Sequence, residues 1–326
     1  MKTVAAIDCG TNSIRLLITE RSEDGRSLRD ITRRMEIVRL GQGVDRTGQI
    51  DPEALQRTLA ATERYARLCQ EHQVEALRFV ATSATRDARN RDQFVDGVRR
   101  RLGVDVEVIS GDEEAALSYA GAVSILGETD PAPRLVVDIG GGSTELVLGD
   151  EQVRSAISLD IGSVRLTERQ FHADPPTAPQ VAAAAAEVHA ALDRAAQTVP
   201  LERVGTLVGV AGSITTMTAY CLGLDRYRPE RINGARFSPE QMIAAAGEML
   251  AMPRAQRSQF GFMHPGRVDV IAAGALIWRE VVARVRASVM RAGGELAQTI
   301  TSEHDILDGI ALSVGGTTRT SPHARA

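Results

Sequence analysis

Residues 136–148 read VVDIGGGSTELVL. Two acids, three consecutive glycines and two hydroxyls stand between apolar runs. Backbone N–H groups that carry no Cβ beside them can converge on one anion, and hydroxyls add further donors, so Gly140, Gly141, Gly142, Ser143 and Thr144 are candidate phosphate contacts. Asp138 and Glu145 cannot meet a phosphate directly, because both sides are anionic. They can hold a divalent cation that bridges to phosphate oxygens. Residues 6–18, AIDCGTNSIRLLI, repeat the device: at an offset of 130 positions Asp8 matches Asp138, Gly10 matches Gly140 and Ser13 matches Ser143. Thr11, Asn12 and Ser13 are the donors of this copy and Asp8 is a third candidate cation ligand. One such loop would equally be a tight turn closed by Asx hydrogen bonds. Two matched copies, each with an acid in the same place, argue for binding.

The loops are not common nucleotide fingerprints. GGGSTE has Glu145 where G-x-G-x-x-G requires its last glycine, and ELVLG continues as a strand where a dinucleotide loop would lead into a helix. No Lys follows either set of glycines, so neither is a Walker A loop. Each reads as the tip of a hairpin.

The flanking sequence supplies the elements that hold these tips. Segments 3–8 and 14–20 are β-rich. Residues 51–72 open with Asp51 as an N-cap and Pro52 at the first helical position, then run as an amphipathic helix. Strand 77–82 leads to a helix expected over 85–102, and strand 104–110 to a helix ending near Leu126, with Ser110 and Glu113 in a capping-box pattern. Residues 127–134, GETDPAPR, form a polar connector before the second device. Further helices are expected near 178–197, 239–250, 268–289 and 304–314, with a strand at 207–213 and a loose tail from 317. The chain is α/β in two related halves. Its 326 residues suit two domains: 1–126 with a returning helix at about 304–316, and 127–303.

Composition narrows the class. The chain is 43% hydrophobic and 25% charged, ordinary for a folded protein, and its net charge of −4 argues against a general nucleic-acid binder. Cys9, Cys69 and Cys221 are far apart, odd in number and without CxxC spacing, which fits a reduced intracellular compartment. The N-terminal apolar run is cut at Asp8, and no run approaches a membrane span. A cytoplasmic protein is expected, without membrane partners.

DCGTNSIRL, TSATRDARN, ISGDEEA, DIGGGSTEL, LDIGSVRL, GVAGSITTM and GRVDVIAAGALI together resemble the exopolyphosphatase and guanosine pentaphosphate phosphatase family, within the actin, Hsp70 and sugar-kinase superfamily. The resemblance runs from residue 3 to about 314 and is to the short form, which lacks a C-terminal helical domain. It implies two actin-like (ribonuclease H-like) domains with an interdomain cleft, Mg²⁺ as cofactor, and hydrolysis of terminal phosphate from inorganic polyphosphate, with short chains preferred. Guanosine pentaphosphate is the related substrate, and a kinase or a non-hydrolytic nucleotide sensor is the competing class. Few aromatics are available for a base pocket, so polyphosphate is favoured. Homodimers are common in the family.

The resemblance also carries roles. Glu114, the second acid of GDEEA, would be the catalytic base. Read alone, an acid in the first turn of a helix equally complements the helix dipole. Arg86 has the planar fork of a phosphate ligand or of a surface ion pair, and Asn90 lies four residues on. Ser163 and Arg165 resemble a third phosphate-contacting turn. Gly212 and Ser213 stand where actin-like kinases meet adenosine, and Arg267 lines the groove or simply starts a helix.

Overall fold

The computed structural model describes residues 1–22, 27–127 and 129–315; the tail expected from 317 onward lies outside them. Two sheets dominate. The strands are β1 (Lys2–Cys9), β2 (Ser13–Arg21), β3 (Leu28–Ile37), β4 (Ala76–Ala81), β5 (Val106–Val108), β6 (Arg134–Ile139), β7 (Thr144–Gly149), β8 (Val153–Leu159), β9 (Thr206–Val210), β10 (Arg236–Phe237) and β11 (Thr299–Thr301). The first sheet has the order β3-β2-β1-β4-β5 and the second β10-β11-β9-β6-β7-β8. Read from β8 inward, the second sheet repeats the order of the first and adds β10 at its edge. In both, the hairpin strands are antiparallel and the next two strands join in parallel, while the added β10 pairs antiparallel with β11. The duplication seen in two short loops therefore extends to the whole sheet, and the fold is the actin-like α/β arrangement.

The central strands are buried on both faces, as parallel sheets covered by helices require. Leu135, Val137 and Leu146 face one side of the second sheet and pack with Val188 and Leu192 of the helix Ala178–Ala195 and Leu276 and Trp278 of the helix Ile271–Arg291. The alanines of Ala178–Ala195 thus divide: Ala184, Ala191 and Ala195 enter this core, and Ala182, Ala183 and Ala186 are exposed.

The helix Gly111–Ala122 is held between the two halves. Ala115, Tyr119 and Ala122 pack on Val136 and Val147 of the second sheet, while Leu117 joins Ala6, Leu17 and Val80 of the first. The helix Ile306–Ser313 completes that second cluster. The two helices cross closely enough that a Cβ on Gly121 would overlap the Asp305 carbonyl and one on Gly309 the Leu117 carbonyl. Glycine is required there by approach, not by backbone angle.

Two local expectations differ from the structure. The helix expected over 85–102 is broken into Ser83–Asp87 and Arg91–Leu102, with Ala88 extended. Between them, Asn90 accepts from the Ile50 N–H at 2.8 Å and donates to the Ile50 carbonyl at 3.0 Å. The capping box at Ser110 is half formed: its hydroxyl accepts from the Glu113 N–H at 3.2 Å, but the Glu113 carboxylate pairs with Arg78. The helix then ends at Ala122 and tightens into a 3₁₀ turn, Val123–Ile125. No helix among the described residues is long and apolar enough to cross a membrane.

Candidate active site

The two loops meet. The tip between β1 and β2 is closed by the Gly10 N–H donating to the Ser13 carbonyl at 3.0 Å, and the tip between β6 and β7 by Gly140 N–H to Ser143 carbonyl, also 3.0 Å. A Cβ on Gly141 would come within 2.9 Å of Thr11 Cβ, and one on Gly142 within 2.6 Å of both Thr11 Oγ1 and Ser83 Oγ. None of Gly140, Gly141 and Gly142 has a left-handed backbone, so they do not form an αR-αL nest. Their glycine identity comes from the close packing of one loop on the other.

The donors are aimed by another route. A trans peptide sets the N–H of one residue opposite to the carbonyl before it. The Gly140 carbonyl accepts from Ser163 N–H at 2.9 Å, the Gly141 carbonyl from Val164 N–H at 2.9 Å and Arg165 N–H at 3.1 Å, and the Thr11 carbonyl from Gly41 N–H at 2.9 Å. With those carbonyls tied back, the N–H groups of Gly141, Gly142 and Asn12 point the other way. Among the described residues, the N–H groups of Thr11, Asn12, Gly141 and Gly142 donate to no protein acceptor. Unpaired backbone donors at two adjoining tips are what an anion such as phosphate requires.

A cleft of about 530 Å³ opens beside them. It is lined by Gly10, Thr11, Asn12, Ser13, Gly140, Gly141 and Ser143 together with Asp8, Glu114 and Asp138. Gly142 instead lines a small second cavity behind the tips. Thr144 points away, donating to the Ile161 carbonyl. Asn90 is spent on Ile50, so its expected place on a phosphate-facing helix is corrected.

Asp8, Glu114 and Asp138 line the cleft floor, and Glu145, 1% exposed, lies beside Asp138 without lining the cleft. Glu114, 8% exposed, meets Arg86 Nη1 at 3.2 Å, and that guanidinium is anchored on the Ile109 carbonyl at 2.8 Å. The Arg86 ion pair is thus made with a buried acid of the cleft and not with a surface acid. Asp138 accepts from Ser118 Oγ at 2.6 Å; Ser118 lies one turn after Glu114 on the same helical face. Glu145 stands across from Asp138 in the β6–β7 register and accepts from Ser158 Oγ at 2.7 Å. Gly111 lets the helix start touch Ser158, since a Cβ there would lie 2.6 Å from Ser158 Cβ. Burial raises Glu114 to about 8, opposed by Arg86 and reinforced by the charges of Asp138 and Asp8. Burial and the charge of Asp305 lift Asp138 to about 7 against the Ser118 bond. Glu145 is pushed well above the usual carboxylate range by burial and by Glu114 and Asp138.

Asp8 differs from the others. Arg15, its cross-strand partner, donates to it through Nε at 2.9 Å and Nη2 at 2.6 Å and reaches Asp305 with Nη1. Arg15 occupies the place that Glu145 holds in the second copy, so the two devices carry opposite charges there. Asp8, expected as a cation ligand with Asp138 and Glu145, is thus paired with Arg15, and among the described residues no three acidic, His or Cys side chains gather as a metal-binding group. Arg15 and Asp305 were not singled out in the sequence, because nothing local links positions so far apart. Ser118 could have been, from its spacing to Glu114.

The far wall of the cleft is less polar. Tyr227, Phe262, Met263, Pro265 and Val270 line it with Arg34, Arg267 and Glu303. Tyr227 OH bonds to Thr215 Oγ1 at 2.7 Å and to Glu303 Oε1 at 2.6 Å. Arg267 donates to Thr216 Oγ1 at 2.9 Å and lies so close on Gly212 that a Cβ would overlap its guanidinium. The position where actin-like kinases meet adenosine is thus filled by a side chain. Arg165, expected as a phosphate contact, lines the small cavity behind the tips, not the main cleft.

The chain is similar to known proteins in sequence and fold. A sequence profile of the Ppx/GppA phosphatase family matches residues 18–310. The chain is 48% identical over 324 residues to exopolyphosphatase 2 of Mycobacterium tuberculosis, covering 96% of this chain and 98% of that one. Among solved structures, an exopolyphosphatase-like protein superposes with a TM-score of 0.91 at 46% identity, over 95% of this chain and 98% of that one. The Ppx/GppA family member of Aquifex aeolicus does so with a TM-score of 0.76 at 31% identity, over 96% and 97%. With the profile, the relative and the duplicated sheets in agreement, the chain belongs to the Ppx/GppA phosphatase family.

Proposed function

We propose that this phosphatase is a Mg²⁺-dependent exopolyphosphatase, working in a cleft between domains 1–126 (with 304–316) and 127–303. The observation that carries the reading is the pairing of unpaired N–H donors from both tips with a buried glutamate, Glu114, in one cleft. The donors would hold the terminal phosphate groups. Glu114 would take a proton from water as its oxygen attacks the terminal phosphorus, the P–O bond to the next phosphate breaks, and the shortened chain leaves with the electron pair.

The side chains fit a cation of modest protein ligation. Asp138 and Glu145 are buried oxygen donors with hydroxyl partners and no cation within ion-pair distance among the described residues. Mg²⁺ characteristically uses one or two carboxylates and completes its shell with water and substrate phosphate. Asp138 and Glu145 would hold it, and it would neutralise charge on the phosphates. Asp8, already neutralised by Arg15, would support the first tip.

Guanosine pentaphosphate is a second reading, favoured by one specific observation. Tyr227 and Phe262, distant in sequence from both loops, line the same cleft, where the composition had suggested no base pocket. A kinase reading loses support from Arg267 on Gly212. A homodimer through the exposed alanines 182, 183 and 186 is also proposed, and sedimentation would detect it. Phosphate release from polyphosphate, guanosine pentaphosphate and ATP, measured side by side with Mg²⁺, tests the assignment. Fast release from the first supports it, and no release from the first overturns it.

A further inference from the structure

We propose that Arg165 is a positioning residue that couples closure of the cleft to the shape of the second phosphate loop. The inference rests on the hydrolase reading above for its kinetic consequence and on geometry alone for its structural one.

Arg165 opens the helix Ser163–Gln170 and is committed on every edge. Its Nε donates to the Gly142 carbonyl at 2.8 Å, Nη1 to Asp45 at 2.7 Å and Nη2 to Asp87 at 2.6 Å. Gly142 belongs to the second tip; Asp45 and Asp87 belong to the first half of the chain. A planar guanidinium engaged at three points cannot rotate without breaking at least one contact. The Gly142 carbonyl in turn fixes the direction of the Ser143 N–H, and Ser143 lines the cleft.

The partners on the other side are not scattered. Asp45 is also held by Arg169 Nε at 2.6 Å, Gly43 N–H donates to Glu168 at 3.0 Å, and Arg39 meets Asp269 at 2.8 Å. Arg39, Gly43 and Asp45 all lie in the segment 39–48. It begins at Arg39, a non-glycine residue at φ +52°, and contains left-handed Gly43 and Gly48. A strained, preset backbone of this kind persists when its surroundings determine it. The same segment grips the first tip: the Thr11 carbonyl accepts from Gly41 N–H, and the Asn12 carbonyl from Val38 and Arg39 N–H. Each phosphate loop therefore has its carbonyls held by a structure that also clasps the opposite half. Opening the cleft would break the bonds that brace these two structures against each other, and the N–H donors of the two tips would lose their common aim.

The test compares Arg165→Gln with the double variant Asp45→Asn/Asp87→Asn, which keeps the Gly142 bond but removes the clasp. Asp105→Asn, an exposed partner of Arg99, is the charge control. Both test variants should show faster hydrogen exchange at amides 163–165, which donate to the Gly140 and Gly141 carbonyls, and a larger radius of gyration in solution scattering, with the control unchanged. With polyphosphate and Mg²⁺, the double variant should raise KM about 10-fold with a smaller change in kcat, and Arg165→Gln should lower both kcat and kcat/KM. Arg165→Lys should restore part of KM but not the exchange protection. Unchanged exchange and scattering in the folded double variant overturn the coupling whatever the kinetics. Absence of polyphosphate hydrolysis in the unmodified protein would count against the hydrolase reading only, since exchange and scattering still decide the coupling.

Discussion

At the scale of single residues, the site is defined by carboxylates that cannot all be ionised without help. Glu114 at about 8 and Asp138 at about 7 bind protons in the folded protein at pH values where the unfolded chain has released them. Between the ordinary carboxylate range and about 8, the metal-free fold therefore loses stability as pH rises. A divalent cation takes the place of those protons, so the upward shift of Tm on adding Mg²⁺ should be larger at pH 8 than at pH 5.5. Thermal unfolding at the two pH values checks this, and an equal shift at both would contradict it. Asp138→Asn/Glu145→Gln should abolish the Mg²⁺-induced shift at both pH values. Glu114→Gln tests the base: turnover should fall about 10²–10⁴-fold with substrate affinity little changed. Near-normal turnover in the folded variant would place the base elsewhere. As a base Glu114 acts only when deprotonated, so activity should rise with pH through its titration, which bound Mg²⁺ would move below 8.

At the scale of elements, one helix crossing governs the site. Gly111–Ala122 carries Glu114 and Ser118, and it is seated by the close approach of Gly121 and Gly309 to backbone carbonyls. Backbone cannot step aside as a side-chain end can, so Gly309→Ala should cost about 1–3 kcal/mol of stability and displace Glu114. Urea unfolding measures the first effect, and a variant as stable as the parent would show that the helices slide freely. The elements themselves were readable where the signal is local. Asp51 with Pro52 starts its helix at the expected place, and its side chain accepts from the N–H groups of Glu53 and Ala54. Both hairpin tips were evident because acid, glycine and hydroxyl recur in register. The break at Ala88 was not, since it depends on an Asn90–Ile50 bond across 40 positions. The Arg15–Asp305 bond spans 290 positions and leaves no periodic trace. The packing role of Gly141 and Gly142 was not legible either, because their contacts with Thr11 and Ser83 join distant parts of the chain.

At the scale of the whole molecule, the question is how much of a long polyanion the cleft can hold. Of the arginines lining it, Arg15 is paired with Asp8 and Asp305, and Arg33 with Asp30 and Asp308. Among the described residues, Arg34 and Arg267 line the cleft without a carboxylate partner in ion-pair range. His264 is held below its ordinary pKa by burial and by Arg267, and so stays neutral at pH 7. The backbone donors of the tips act on one or two phosphates at most. A distant part of the substrate therefore meets few free cations. By analogy with nucleic-acid backbones, each phosphate neutralised by a cationic side chain releases about 0.7 of a counterion from a single strand. Two such contacts predict a plot of log affinity against log salt with a slope of about −1 to −2. Weak retention of the remaining chain lets release compete with a second cut. Partial digestion of long polyphosphate should then give a band of intermediates that drifts downward on a gel, with the salt slope measured in parallel. Intact long chains coexisting with free phosphate, with no intermediates and a steep salt slope, would mean that the chain is gripped along a surface beyond this cleft.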